Sequence, residues 1–427
     1  MKTNKLVLAL ILAFAGPVAA QDVFIHDATV HTVAAAGKLE HADVLVRGGR
    51  VSAVGANLAA PAGVAVIEAN GRPVTPGLFG GLTSLGLEEV SLESATVDST
   101  FAPGAQTPPL ALEWRPEFDA TLAFNPREAP IAVARVEGIT FTVLAPGALV
   151  PGGNFVAGQG SAVTLDGRFD AVLPGSQSLF INIGGAAMPL AGGSRAAQYM
   201  LLEQALREAK PATPLRDSDY ALLTAAGREA LARYVGGGRV VFRVERAADI
   251  RQVLALSAKH GFKPVIAGGA EAWVVAAELK RANATVLLDS LVNLPGDFDQ
   301  VGARFDNAAL LDAAGVHVAF SQAGDATHNA RKIRQLAGNA VAHGMRWDAA
   351  LAGLTRVPAD TFGLAQAGRI EAGANADLVL WSGDPLEVTT TAEQVWIGGR
   401  AQSMRSRQTE LRDRYLQRAG ITPPATP

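Results

Sequence analysis

Over about three hundred residues the chain alternates short apolar runs with stretches of helical periodicity, and strand-like segments bracket this region at both ends. The apolar runs are Ile139-Thr140-Phe141-Thr142-Val143-Leu144, Leu179-Phe180-Ile181-Asn182-Ile183, Val240-Val241-Phe242-Arg243-Val244, Pro264-Val265-Ile266-Ala267, Thr285-Val286-Leu287-Leu288 and Val316-His317-Val318-Ala319-Phe320. Between them, Tyr199, Leu202 and Leu206 share a helical face, with Glu203 one turn before Arg207; residues 248–260 and 270–282 are further helical stretches. Strand and helix in alternation require a sheet with crossover helices. A run of this length predicts a (β/α)8 TIM-like barrel, with a doubly wound open sheet as the competing arrangement.

The bracketing segments are of another kind. Val23-Phe24-Ile25, Ala42-Asp43-Val44-Leu45-Val46, Val51-Ser52-Ala53-Val54 and Val64-Ala65-Val66-Ile67 are short strands separated by glycine-rich breaks such as Arg47-Gly48-Gly49-Arg50. A similar pair recurs at Ala376 to Trp381 and Gln394 to Arg400. Short strands need a shared sheet to be stable. The reading is therefore a small composite β-sandwich domain made from residues 21–75 and 372–403, with the barrel of residues 76–371 inserted in it. Residues 88–130, rich in Pro, Ser and Thr, read as a long loop over the barrel mouth; 404–427 read as a charged helix and tail.

A hydrophobic content of 49% with 18% charged residues describes a folded globular chain. The net charge of −3 and the lack of a basic block argue against nucleic acid as a partner. Without cysteine there is no disulfide, thiolate metal ligand or cysteine nucleophile. Residues 1–20 have a positive start at Lys2 and Lys5, an apolar run from Leu6 to Ala15, and small residues at Val18-Ala19-Ala20. This is the layout of a secretory signal peptide, too short in its apolar part for a membrane anchor. Cleavage after Ala20 would leave the mature protein in a periplasm, with no membrane attachment.

The segment Val74-Thr75-Pro76-Gly77-Leu78-Phe79-Gly80-Gly81-Leu82-Thr83-Ser84 resembles the first-strand signature of the amidohydrolase superfamily, in which Pro-Gly-Leu leads to a His-x-His pair. Arg135-Val136-Glu137-Gly138-Ile139-Thr140, a Gly158-Gln159-Gly160 turn and Arg246-Ala247-Ala248-Asp249-Ile250 are similar to motifs of its imidazolonepropionase-like branch. So is the closing run from Gly368 to Trp381, followed by Gly383-Asp384-Pro385-Leu386. The resemblance implies the barrel fold. It also implies a hydrolase of C–N bonds, in non-peptide or dipeptide amides, that uses zinc or another divalent metal. In active relatives the metal is held by the two strand-one histidines, histidines on strands five and six and a strand-eight aspartate, sometimes with a strand-four lysine or glutamate. It lowers the pKa of a bound water.

The matching positions here carry other chemistry. Strand one offers Leu82 and Ser84, strand four Asn182, strand five Arg243, strand six Gly268 and strand eight Ala323, with Asp325 displaced by two. An alkyl group cannot ligate zinc and a guanidinium repels it. These six positions define a vestigial pocket, and no metal or other cofactor is expected in it. Asp325 and Arg243 are the remaining catalytic candidates. Arg243 is expected to turn inward and pair with Asp325 or, second, Glu245; the bland alternative is a solvated rim charge. Glu271 suits the start of its helix electrostatically and has no catalytic role.

The histidines do not rebuild a site. His26, His31 and His41 fall in the β domain, His260 and His343 read as surface residues, and His317 lies far from the mouth. Asp325 and His328 supply two ligands, fewer than a metal needs. The leading expectation is a degenerate, non-hydrolytic member acting as the inactive partner of an active amidohydrolase paralogue, or self-associating, as a binding subunit. An active C–N hydrolase with an atypical site is the alternative; a binding protein for small peptides or heterocycles is a third option.

Overall fold

The computed structural model describes residues 22–101, 114–147, 154–210, 221–324 and 326–423. The proposed signal peptide and Asp325 lie outside these residues, as does part of the loop expected over the mouth. No helix among the described residues is long and apolar enough to cross a membrane.

Five strands open the chain: β1 (Val23–His31), β2 (Lys38–Arg47), β3 (Arg50–Gly55), β4 (Ala65–Glu68) and β5 (Pro73–Pro76). The β2–β3 hairpin turns on Gly48 and Gly49, at φ 55° and 82°. Two left-handed residues give a turn whose twist matches that of the flanking strands, so glycine is suited to both positions.

The next strands form the central wall: β6 (Leu78–Thr83), β7 (Ile139–Leu144), β8 (Val156–Gly160), β9 (Ala162–Thr164), β10 (Ser178–Asn182), β11 (Arg239–Val244), β12 (Lys263–Gly268), β13 (Thr285–Leu288) and β14 (His317–Phe320). The closing strands β15 (Leu378–Trp381), β16 (Ala392–Ile397) and β17 (Arg400–Ala401) return to the first sheet. The two chain ends share one eight-stranded sheet of order β17-β16-β15-β5-β1-β2-β3, with β4 on β1. Its core includes Ile25, Val44, Val74, Leu378 and Trp396.

In the wall, β10 to β14 run parallel in sequence order, and β6 is parallel to β7. An all-parallel (β/α)8 wall is corrected at its third position. There β8 lies antiparallel to β10, and β9 antiparallel to β7. The described residues between Leu144 and Ser178 contain no helix. A parallel neighbour needs a long crossover, whereas an antiparallel one needs only a short return, so the chain doubles back. Gly158-Gln159-Gly160, read as a turn, is accordingly strand, and Gly158 lets the Phe118 carbonyl come within 2.5 Å of where a Cβ would stand.

No ladder joins β14 to β6 among the described residues. The two meet instead where the Leu82 amide donates to Ser321 Oγ at 3.0 Å. Every stretch of wall nevertheless contributes to one interior. Phe79, Phe141, Ala157, Ala162, Phe180, Val241, Val265, Leu287 and Ala319 form a single buried cluster. Gly81, at φ 92°, accompanies a register shift in β6, so Phe79 and Leu82 both reach that interior although three residues apart. Ala359, Phe362 and Leu364 close it from below, with Phe362 6.0 Å from Phe79 and the Arg239 guanidinium 5.6 Å above the Phe362 ring. Arg239 opens β11, so this is the amino-terminal end of the wall.

Helices cover the outside. In Arg195–Glu208, Leu202 and Leu206 are buried, while Glu203 accepts from Lys259 Nζ at 2.7 Å and lies 3.2 Å from His260 Nε2. His260, expected at the surface, is therefore buried in a helix contact. His343 stacks on Phe305 at 4.4 Å. Glu271 accepts from the Ala247 amide at 2.9 Å, so it caps the helix Ala247–His260 rather than its own.

Phe362→Ala removes the aromatic plug of this interior. It is expected to lower unfolding free energy by about 3–5 kcal/mol, measured by urea denaturation. A loss below about 1 kcal/mol would show that the interior does not depend on the plug.

Candidate functional site

The carboxyl ends of the wall strands bring the expected positions together in two groups. In the first, the β10–β11 register sets Asn182 beside Arg243. Arg243 Nη1 donates to Asn182 Oδ1 at 3.2 Å and to the Gly147 carbonyl at 3.3 Å; Nη2 donates to the Pro146 carbonyl at 2.7 Å. Its guanidinium lies 5.4 Å above the ring of Phe180. Asn182 is buried and donates to the Asn154 carbonyl at 2.6 Å. Arg243 thus turns inward, but the expected pairing with a carboxylate is corrected for Glu245, which bonds elsewhere. Asp325 lies outside the described residues. Carbonyl dipoles, a side-chain amide and a π face stabilise the cation instead, and burial pushes its pKa down to about 10.

The second group centres on Glu245. Its Oε2 accepts from the Ala270 amide at 2.8 Å, and Gln300 Nε2 approaches Oε1 at 3.4 Å. Gly268 has φ 96°, and a Cβ built there would stand 2.5–2.9 Å from the Glu245 carboxyl group. The carboxylate therefore fills the space that a strand-six side chain would need. Burial raises the Glu245 pKa, and the charges of Asp297 and Asp299 add to this against the Ala270 and Gln300 bonds. Ala323 is exposed and its amide donates to Asp289 Oδ2 at 2.9 Å. Glu245, Gly268, Asp289 and Ala323 line one cleft, whose cavity volume of about 20 Å³ suits a water rather than a substrate. Asn307 faces the same cleft; it donates to the Gly269 carbonyl at 3.0 Å, and its buried Oδ1 has no partner among the described residues.

Strand one joins neither group. Leu82 is packed in the interior cluster, and Ser84, just beyond β6, is held by its amide to Thr327 Oγ1 at 3.2 Å. The donor set does not fit a catalytic zinc: an alkyl group, a hydroxyl, an amide, a guanidinium, a glycine and an alanine stand at the six positions. Among the described residues no three His, Asp or Glu side chains converge as a metal would require. Glu245 appears in the sequence only as a second partner for Arg243, and its place over Gly268 was hidden. Asp289, directly after β13, and Asn307, across a loop, carry no sequence signal of their own.

Residues 227–402 match the amidohydrolase family. A 75-residue stretch is 45% identical to amidohydrolase tasK of Hapsidospora irregularis, covering 17% of this chain and only 8% of that protein's length. Among solved structures, an amidohydrolase from Thermotoga maritima MSB8 superposes with a TM-score of 0.76 at 23% identity, over 90% of this chain and 100% of that one. A prolidase complexed with N-methylphosphonate-L-proline gives 0.53 at 18%, over 90% and 99%. These structural likenesses establish the fold.

Two measurements test the mouth. Arg243→Ala removes hydrogen bonds from a charged donor to three acceptors and is expected to lower unfolding free energy by about 2 kcal/mol in urea; an unchanged midpoint would make Arg243 a rim charge. Glu128, 8% exposed beside the loop that follows β6, accepts from the Glu88 amide at 3.3 Å. Burial, with Glu89 and Asp98 nearby, pushes its pKa from 4.5 up to about 7. The native state then holds a proton that the unfolded chain has released. Its stabilising effect is full below the unfolded value and fades as pH rises towards 7. Glu128→Gln is expected to flatten the fall in melting temperature between pH 5 and 8; parallel profiles would show that Glu128 ionises freely.

Proposed function

We propose that this chain, a member of the amidohydrolase superfamily, works as a non-hydrolytic binding subunit in an extracytoplasmic space, partnered with an active amidohydrolase. The observation that carries the reading is the Glu245 carboxyl group in the space a strand-six ligand would occupy, over a glycine at φ 96°. A histidine at position 268 would need both a strained backbone and displacement of Glu245. The packing, as well as the residue types, thus opposes a metal ligand on strand six, which supports this reading. The amino-terminal segment with Lys2, Lys5 and an apolar run supports export.

One observation favours a second reading, a C–N hydrolase with an atypical site. Glu245 and Asp289 line the same cleft, and Glu245 has a raised pKa suited to a general acid. The distinction is measurable on purified protein by metal analysis together with turnover of dipeptides and N-acyl amino acids, with and without chelator. The first reading expects less than stoichiometric zinc and no turnover above background. Zinc-dependent turnover would overturn it, and chelator-resistant turnover abolished by Glu245→Gln would establish the second. Gly268→His is expected to lower the melting temperature and still not create a zinc site. Stoichiometric zinc in that variant would refute the steric argument.

A further inference from the structure

At the opposite end of the wall from the mouth, a cleft of about 510 Å³ opens between the β1–β2 connection and the helices Trp347–Gly353 and Arg356–Thr361. That volume falls in the range that holds small molecules, and junctions between substructures are favoured places for them. It is far larger than the cavity of about 20 Å³ at the mouth.

The loop on one side is built rigidly. The Thr32 amide and hydroxyl both donate to the Gly37 carbonyl, at 3.1 and 2.7 Å, and the Ala34 amide donates to Thr32 Oγ1 at 3.2 Å. The Thr32 carbonyl accepts from the Ile370 amide at 2.8 Å, tying the loop to the chain that returns from the barrel. Within this frame Val33 is held at φ 51°. A β-branched residue in the left-handed region is unfavourable, and such strain persists where surrounding contacts impose it, often at ligand clamps.

The charged groups around the cleft are of both signs: Arg369 is held by Asp360 and lies 3.9 Å from Glu371, whereas others are more weakly engaged. Arg356 has a single ion pair, Nη1 to Asp360 at 3.7 Å, too long for a hydrogen bond. Asp348 has no hydrogen-bond or ion-pair partner among the described residues. Lys38 adds a cation, held at 3.0 Å by Glu40. His31 lies against the ring of Trp347 at 4.6 Å, its nitrogens without a hydrogen-bond partner among the described residues. Burial first, then Lys38, lowers its pKa, so the imidazole is neutral at pH 7 and adds no charge. Val33, Leu351 and Ala352 supply an apolar wall.

We infer that this cleft binds a small zwitterion of the amino-acid class, its carboxylate on Arg356 and Lys38, its ammonium on Asp348, and an apolar side chain against Leu351 and Val33. A purely anionic ligand would be opposed by Asp348 and Glu371, and a purely cationic one by Arg356, Lys38 and Arg369, whereas a zwitterion meets both. The site is separate from the mouth and does not depend on whether the mouth is hydrolytic.

Calorimetric titration of the whole protein with L-leucine tests this, with 4-methylpentanoate and isoamylamine as single-charge controls. Saturable leucine binding is expected, with either control weaker by about tenfold or more, the loss of one charge-assisted hydrogen bond. Arg356→Gln and Asp348→Asn are each expected to weaken leucine by a similar factor. Both should keep the wild-type melting temperature, because the exposed Arg356 pair contributes little to stability. Absence of saturable leucine binding at millimolar concentration would overturn the proposal. So would 4-methylpentanoate binding as tightly as leucine, or binding lost in Arg243→Ala and retained in both cleft variants.

Discussion

The antiparallel pairing of β15 with β5 is the contact on which the rest of the architecture hangs. Leu378, Val379 and Leu380 pair with Pro76, Thr75 and Val74, joining residues some three hundred positions apart. The length-dependent part of closing such a loop is roughly 5 kcal/mol, so local bonds must hold it. They are dense here. Trp381 Nε1 donates to the buried Thr75 Oγ1 at 2.9 Å, and the Gly77 amide donates to the Asp377 carbonyl at 2.8 Å. Gly138 packs so closely under the Trp381 ring that a Cβ would come within 2.6 Å, and the Arg334 guanidinium covers the ring at 4.9 Å. Since β6 starts two residues after β5 ends, this junction fixes where the first wall strand begins, and so where its far end opens.

From that anchor, much of the architecture was legible in the sequence for a plain reason. Apolar runs bounded by turn residues encode strands locally, and β13 occupies the same four residues, Thr285 to Leu288, that the apolar run marks. The shared sheet of the two ends was legible because strands so short cannot stand alone. The reversed third strand was less so. Its glycines look like a turn, and only the missing helix on either side hints at an antiparallel return. Gly158 and Gly160 are needed because the Phe118 and Leu144 carbonyls press against them, a tertiary fact with no local signature.

The site divides in the same way. Residue types at Leu82, Arg243, Gly268 and Ala323 are read from the sequence directly, and so is their failure as a zinc donor set. What Arg243 and Glu245 do instead depended on backbone geometry. Arg243 found carbonyls because the chain leaving β7 bends across it at Pro146 and Gly147. Glu245, two positions on and expected on the same side, turned over Gly268 because that glycine leaves the space empty and the Ala270 amide points into it. Alternation along a strand does not predict a residue just past the strand end.

A metal bound by strands one, five, six and eight would also be a cross-link among them. Here protein groups staple neighbouring strand ends one pair at a time. Thr83 and Thr142 hydroxyls meet at 2.9 Å between β6 and β7, and Arg243 joins Asn182 and the chain after β7. Glu245 binds the amide beyond β12, Asp289 the amide beyond β14, and Ser321 the amide of Leu82. Each such bond contributes on the order of 1 kcal/mol, so a ring of them can stand in for part of the constraint that one ion supplies. The same bonds occupy the polar groups that chemistry at a mouth would need. Rigidity from these bonds comes at the expense of open donors and acceptors among the described residues, and the cleft beside Glu245 has a cavity volume of only about 20 Å³.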